Sequence, residues 1–294
     1  MALLERLHVL YNDAMEQREP LCYGYPFMDS PVALLTTVAL YLLVVWQGPK
    51  FMQNRKPMNL KVPIILYNIT MVIISSIICF GGMFGIYNLG GFKVFCEGSG
   101  DTRTIPDELL IFYYVNLGWL FFVSKMIEFL DTVFFILRKK NNQVTFLHVY
   151  HHTSMCMFTW VGLNFFTGGN NIAYGVVNSF IHVVMYSYYA LAAFGPHMRK
   201  YLWWKKYLTK MQIGQFLILI VYVSWNEMYG CGFSRTFVLI TLAYICTVLL
   251  LFINFYVRAY LSSHKPQPHK DTVTNGHVHG EGESQVNGAV KKLN

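Results

Sequence analysis

With 294 residues, of which 54% are hydrophobic, 17% aromatic and only 13% charged, this chain is too apolar for an ordinary water-soluble domain. Its formal net charge of +8 calls for no nucleic acid, because the bases gather in alternate connections between apolar runs. Membrane orientation, anionic lipid and a phosphorylated substrate compete to explain them.

The leading segment, 1–30, is acid-rich, with Glu5, Asp13, Glu16, Glu19 and Asp29 against Arg6 and Arg18. It lacks a basic start followed by an apolar run, so no cleavable signal peptide is expected. Apolar runs of the roughly 20 residues that a bilayer core requires then fall near 32–49, 63–87, 109–137, 144–165, 171–194, 208–225 and 236–260. They predict an all-α polytopic membrane protein of about seven spanning helices. The run 109–137 is long enough to tilt or to begin ahead of the membrane.

The connection 50–61 carries Lys50, Arg55, Lys56 and Lys61 and no acid. The next basic ones are 138–143, with Arg138, Lys139 and Lys140, and 195–210, with Arg199, Lys200, Lys205, Lys206 and Lys210. Between them, 88–108 sets Glu97, Asp101, Asp107 and Glu108 against Lys93 and Arg103, and 166–171 has no charge. Basic connections face the cytosol, so the N-terminus is predicted to be lumenal and the tail cytosolic. Cys96 and Cys231 then fall in lumenal loops, where an oxidising compartment predicts that they pair. Cys22, Cys79, Cys156 and Cys246 read as free buried thiols. The sequon Asn68-Ile69-Thr70 lies at the cytosolic start of a span and is expected to go unused.

From Ser262 onward His264, Lys265, Pro266 and Pro268 lead into a stretch rich in Gly, Ser, Asn and Glu that can bury almost nothing, which predicts a disordered tail over 262–294. It ends Lys291-Lys292-Leu293-Asn294, the form of a dilysine signal for retrieval to the endoplasmic reticulum. The chain thus divides into a lumenal segment 1–30, a heptahelical domain 31–261 and a cytosolic tail. No internal repeat supports duplicated transporter halves.

The chemistry concentrates in the middle spans. His148, His151 and His152 stand in the apolar run Leu147-His148-Val149-Tyr150-His151-His152. Polar side chains at membrane depth face a bundle interior and mark a site, and helical spacing puts these three on one broad face. Such a cluster suits metal coordination, proton relay or attack on an acyl group. His182 is the other His within a span; Asn178, His182, Tyr186 and Tyr189 form a polar stripe that reads as interhelical glue or as the wall of a reaction chamber. Lys125, Glu128 and Thr132 share a further face, with Asp131 beside Glu128. These charges either pair with one another or divide the work, Lys125 meeting an anionic substrate group while the acids orient imidazoles. Arg138, Lys139, Lys140 and Gln143 follow. The pair Trp203-Trp204 precedes Lys205, Lys206 and Thr209, with Gln212 and Gln215 on the next span. Cations beside aromatic rings at a membrane mouth suit coenzyme A, and they suit lipid head groups equally. Di-iron desaturases and hydroxylases assemble about eight His, and four intramembrane His disfavour that reading.

Taken in order, the blocks Lys125–Thr132, Arg138–His152, Asn178–Tyr189 and Tyr201–Thr209 resemble those of the fatty-acid elongase family, over roughly residues 30–262. They are most similar to the branch acting on polyunsaturated and very long chains; Thr159-Trp160 departs from the tryptophan pair common among close relatives. The resemblance implies a very-long-chain 3-oxoacyl-CoA synthase, an acyltransferase that condenses acyl-CoA with malonyl-CoA. The products are a 3-oxoacyl-CoA two carbons longer, carbon dioxide and CoA, with no metal or other cofactor. It implies His151 as the nucleophile, His148 on the substrate, His152 in support, and His182 with Asn178 at developing negative charge. Cys156 is the rival nucleophile. Lys125, Arg138, Lys140, Gln143, Tyr188, Lys205 and Thr209 are implied as CoA contacts, with Glu128, Asp131 and Gln212 supporting. Membrane lipid, the ketoreductase, dehydratase and enoyl reductase of the elongation cycle, and homo- or hetero-oligomers are the expected partners. The competing classes are a metal-dependent membrane desaturase or hydroxylase and a seven-helix carrier.

Overall fold

The structure, a computed structural model, describes residues 2–91, 106–166, 169–230 and 235–262, and among these it is helical with no strand. Helix α1 (Ala2–Glu16) precedes α2 (Pro31–Phe51) and α3 (Lys61–Asn88). The third apolar run is a composite of α4 (Asp107–Leu110), a π-helical turn at Ile111–Val115, α5 (Asn116–Ile127) and α6 (Phe129–Leu137). Then come α7 (Phe146–Phe165), α8 (Gly169–Ala193), α9 (Lys205–Met228) and α10 (Arg235–Tyr256), which continues into a π-helical turn at Val257–Leu261.

Five of these helices, α2, α3, α8, α9 and α10, are long and apolar enough to cross a membrane, and the chain is a multi-pass membrane protein. The expected count of seven is not reached on those criteria, for two physical reasons. The third run is broken at Glu128, whose turn separates α5 from α6. Helix α7 has the length, at 20 residues, but its histidines, Ser154 and Asn164 dilute its apolar character. The loops with Cys96 and Cys231, expected to be lumenal and to pair, and the tail with Lys291 and Lys292, lie outside the described residues.

Local sequence sets the helix starts. Ser30 accepts a hydrogen bond from the Val32 N–H at 3.2 Å, with Pro31 in the first turn of α2. Thr145 accepts one from the His148 N–H at 3.2 Å, which fixes where α7 begins and so the azimuth of its three histidines. Outward positions such as Leu40, Leu66, Ile73, Ile218 and Leu250 are more than half exposed, as lipid-facing side chains are. Cys246 is among the exposed residues, contrary to the buried thiol expected, because it points outward from α10. Asn68 is buried and donates to the Ile64 carbonyl at 2.7 Å, so the sequon's amide is tied up inside the fold.

The most extensive helix contact joins α3 and α8. A Cβ at Gly82 would lie 2.5 Å from Val176 Cγ2, so the helices approach this closely only because position 82 has no side chain. Gly82→Ala is expected to destabilise the folded protein by about 1–3 kcal/mol through overpacking, read as a lower midpoint of thermal unfolding in detergent. A midpoint equal to that of the parent would contradict this close packing.

Residues 18–30 form a strap against α5 and α7. The Trp160 indole donates to the Phe27 carbonyl at 2.9 Å and the Trp119 indole to the Pro26 carbonyl at 3.0 Å. Cys22 Sγ donates to the Leu163 carbonyl at 3.3 Å. Burial, followed by the neighbouring Glu19 charge, pushes the Cys22 thiol up to about 12, so it stays neutral and unreactive. At the opposite end two basic connections meet: the Met58 N–H donates to the Leu137 carbonyl at 3.0 Å, and Lys139 Nζ to the Gln53 carbonyl at 2.9 Å.

Candidate active site

The broken helix supplies the centre of the site. Glu128 is 1% exposed, in the turn between α5 and α6, and its carboxylate is met from three helices. Lys125 Nζ donates to Glu128 Oε1 at 2.9 Å, His182 Nδ1 lies 3.2 Å from the same oxygen, and His152 Nδ1 lies 3.6 Å from Oε2. The last distance is an ion-pair separation, too long for a hydrogen bond. Lys125 is 2% exposed and also donates to Asn178 Oδ1 at 2.8 Å, with its ammonium over the Phe121 ring. A buried carboxylate and ammonium are tolerable only when paired and hydrogen-bonded in this way.

The arrangement orients the neighbouring groups. With its oxygen held by the ammonium, Asn178 has its NH₂ available for donation. A neutral His182 donating from Nδ1 to Glu128 presents Nε2 as an acceptor; as an imidazolium it presents a second N–H. Asp131, predicted to act with Glu128 on imidazoles, instead accepts from the Tyr186 hydroxyl at 3.0 Å. Of the α8 stripe, Asn178, His182 and Tyr186 turn inward and Tyr189 is 38% exposed.

Beside this knot lies a cavity of about 170 Å³ between α3, α5, α7, α8, α9 and α10. Along α7 its wall runs from His151 to Leu163, twelve residues or about 18 Å at the rise of an α-helix. Because consecutive helices alternate in direction, His151 on α7, Asn178 on α8 and Gln215 on α9 all stand at the same end. The rest is largely aliphatic and aromatic, including Leu117, Phe158, Phe216 and Tyr244. Gly162 and Gly175 also line it, and a Cβ at Gly175 would meet nothing within 4 Å. The strap closes over the far end, since Leu163 both lines the cavity and accepts from Cys22.

The three clustered histidines have three different settings. His151 lines the cavity, and its Nδ1 is buried with no hydrogen-bond partner among the described residues. His152 is buried behind it beside Glu128. His148 Nε2 lies 2.8 Å from Thr132 Oγ1. Cys156 is fully buried away from the cavity wall. Among the described residues no three His, Cys, Asp or Glu side chains converge as metal donors.

The residues expected at CoA separate by depth, and Lys125, expected among them, is instead held deepest, paired with Glu128 and Asn178. Arg138, Lys140, Gln143 and Lys205 are exposed where the basic connections gather, while Thr209 and Tyr188 are buried just inside. Tyr188 packs edge-on against Trp204 at 4.9 Å between ring centroids. Gln212 Nε2 lies 3.5 Å from Met185 Sδ.

The ELO: GNS1/SUR4 family model matches residues 26–268, which takes in the whole site. The chain belongs to this family. It is 44% identical over 253 residues to very long chain fatty acid elongase 4 of Macaca mulatta, covering 86% of this chain and 79% of that one. The human elongase 4 is 42% identical over the same length and shares. Very long chain fatty acid elongase 5 of Tachysurus fulvidraco is 36% identical over 297 residues, 98% of this chain and 97% of the relative. As an ELO family chain, its His148–His152 cluster and the Glu128 knot lie within the matched region.

Proposed function

We propose that this protein is the condensing enzyme of microsomal fatty-acid elongation, a very-long-chain 3-oxoacyl-CoA synthase. The observation that carries the reading is His151: an imidazole at the polar end of an otherwise apolar cavity, in a chain whose relatives are very long chain fatty acid elongases. An apolar cavity suits an acyl chain, and the exposed bases at the membrane mouth suit the phosphates of CoA.

In the first stage a His151 nitrogen attacks the acyl thioester carbonyl. The C–S bond breaks, and CoA leaves as the thiol with the proton the imidazole gives up, leaving a neutral acyl-imidazole. In the second stage malonyl-CoA loses carbon dioxide, and the resulting enolate carbon attacks the acyl carbonyl. The C–N bond breaks, and the ring takes a proton from solvent as 3-oxoacyl-CoA forms. The Asn178 NH₂, aimed by Lys125, stabilises the oxyanion and enolate, with the His182 ring, held by Glu128, acting beside it. His148 contacts substrate and His152 supports it. The relatives' names support very long acyl chains, and the aromatic wall, with Phe158, Phe216 and Tyr244, offers ring faces to the double bonds of polyunsaturated ones. Arg138, Lys140, Gln143, Lys205, Thr209 and Tyr188 hold CoA. The basic connections and terminal lysines support an endoplasmic-reticulum location with a lumenal N-terminus and cytosolic tail. There the other enzymes of the elongation cycle consume the product.

The test is incubation of the purified protein in lipid nanodiscs with labelled malonyl-CoA and a panel of acyl-CoAs. The expected product is a labelled 3-oxoacyl-CoA two carbons longer, with one CO₂ and one CoA released per turnover. No labelled product with any acyl-CoA would overturn the reading. So would stoichiometric iron or zinc whose removal abolishes activity.

A further inference from the structure

The imidazole of His148 is reached by a chain of hydroxyls from two other helices. Tyr41 of α2 places its hydroxyl 3.1 Å from Thr132 Oγ1 of α6, and Thr132 Oγ1 lies 2.8 Å from His148 Nε2. Tyr41 is 4% exposed and Thr132 0%, and the Tyr41 ring stacks on Phe129 with centroids 4.1 Å apart. Both residues are buried, so each proton in the chain finds its acceptor within it or goes without.

Three proton arrangements satisfy the distances. In one, Tyr41 donates to Thr132 and Thr132 donates to His148 Nε2. In the other two, Nε2–H donates to Thr132, and either the phenol hydrogen or, where Tyr41 also donates to Thr132, the Thr132 hydrogen is left buried without an acceptor. An unmade buried hydrogen bond is costly, and a phenol is a better donor than an aliphatic hydroxyl. The first arrangement therefore holds, with Nε2 accepting and the ring proton on Nδ1.

We infer that Tyr41 and Thr132 are positioning residues that lock His148 as its Nδ1–H tautomer, so that His148 serves the bound thioester as a hydrogen-bond donor and not as a base. Neither Tyr41 nor Thr132 lines the cavity; both act through the ring. The inference rests on the condensing-enzyme reading for the substrate that His148 meets, and on the hydroxyl chain alone for the tautomer.

The test compares Thr132→Val, Thr132→Ser and Tyr41→Phe with the parent, all full-length in nanodiscs, by condensation kinetics and by thermal unfolding. Thr132→Val keeps the shape of the side chain but removes the link, and kcat should fall roughly tenfold with little change in KM. Thr132→Ser restores the hydroxyl and should recover most of kcat. Tyr41→Phe leaves Thr132 in place but unlocks its direction, and a smaller fall in kcat of about threefold is expected. Parent kcat in a folded Thr132→Val, or an equal loss in Thr132→Ser and Thr132→Val, would overturn the inference. If Thr132→Val does not fold, an unchanged kcat in Tyr41→Phe would overturn it. Failure of the parent itself to condense would instead count against the condensing-enzyme reading.

Discussion

His151→Ala should abolish condensation, by roughly 10³-fold or more, and leave a folded protein in the membrane. Both halves of that expectation follow from the same geometry. The ring stands on the cavity wall, edge-on to Phe252 at 6.0 Å between centroids, and its Nδ1 has no hydrogen-bond partner to lose. Truncation enlarges a space that already exists and breaks no polar network, so the unfolding midpoint should move little. His182→Ala removes the imidazole that Glu128 holds in a preorganised site and should cost ~10²–10³ in rate, leaving a measurable trace. Labelled-product assays beside unfolding curves check both. Substantial turnover in His151→Ala would remove it as the nucleophile.

Glu128→Ala should fail differently, through stability first. The carboxylate compensates the Lys125 ammonium and holds His182 and His152 from two further helices. Removing one partner of a buried pair strands the other, at a cost of about 3–5 kcal/mol, a large share of a protein's net stability. Lys125→Met combined with Glu128→Leu removes both charges and should recover most of the unfolding midpoint. Activity should stay lost, because Asn178 loses the ammonium that aims its amide and His182 loses its carboxylate. Recovery of activity together with stability would mean that the knot only holds the helices together. A folded, fully active Glu128→Ala would contradict the assignment of Glu128 as the hub.

Much of this was legible from spacing. The seven apolar runs fall on helical segments to within a few residues, because lipid leaves little choice but helix for an apolar stretch of that length. Lys125, Glu128 and Thr132 share a face in the sequence and are all buried in the structure, since helical period alone decides which positions turn inward together. What spacing could not carry was partnership between helices. From sequence, Lys125 reads as a contact for an anionic ligand or as one half of an ion pair. Its neighbours are Glu128, which sequence offered, and Asn178, which lies 53 residues away. Asp131 stands next to Glu128 in register yet accepts from Tyr186, a partner 55 residues away that local spacing does not reveal. Tyr41 carries no local signal: one tyrosine in an apolar helix is unremarkable until Thr132 is found 3.1 Å from its hydroxyl. The strap at 18–30 was likewise hidden, since it is held through backbone carbonyls, which leave no trace in residue type.

The claim that His151 carries the acyl group is tested most directly by single-turnover mixing of the purified protein with acyl-CoA alone. A burst of free CoA approaching one per active site is expected, with one acyl mass added to the protein and mapped by peptide analysis to His151. The same mixing with His151→Ala should give neither. Absence of a CoA burst until malonyl-CoA is added, with steady-state kinetics that require both substrates bound together, would contradict the acyl-imidazole and recast His151 as a base.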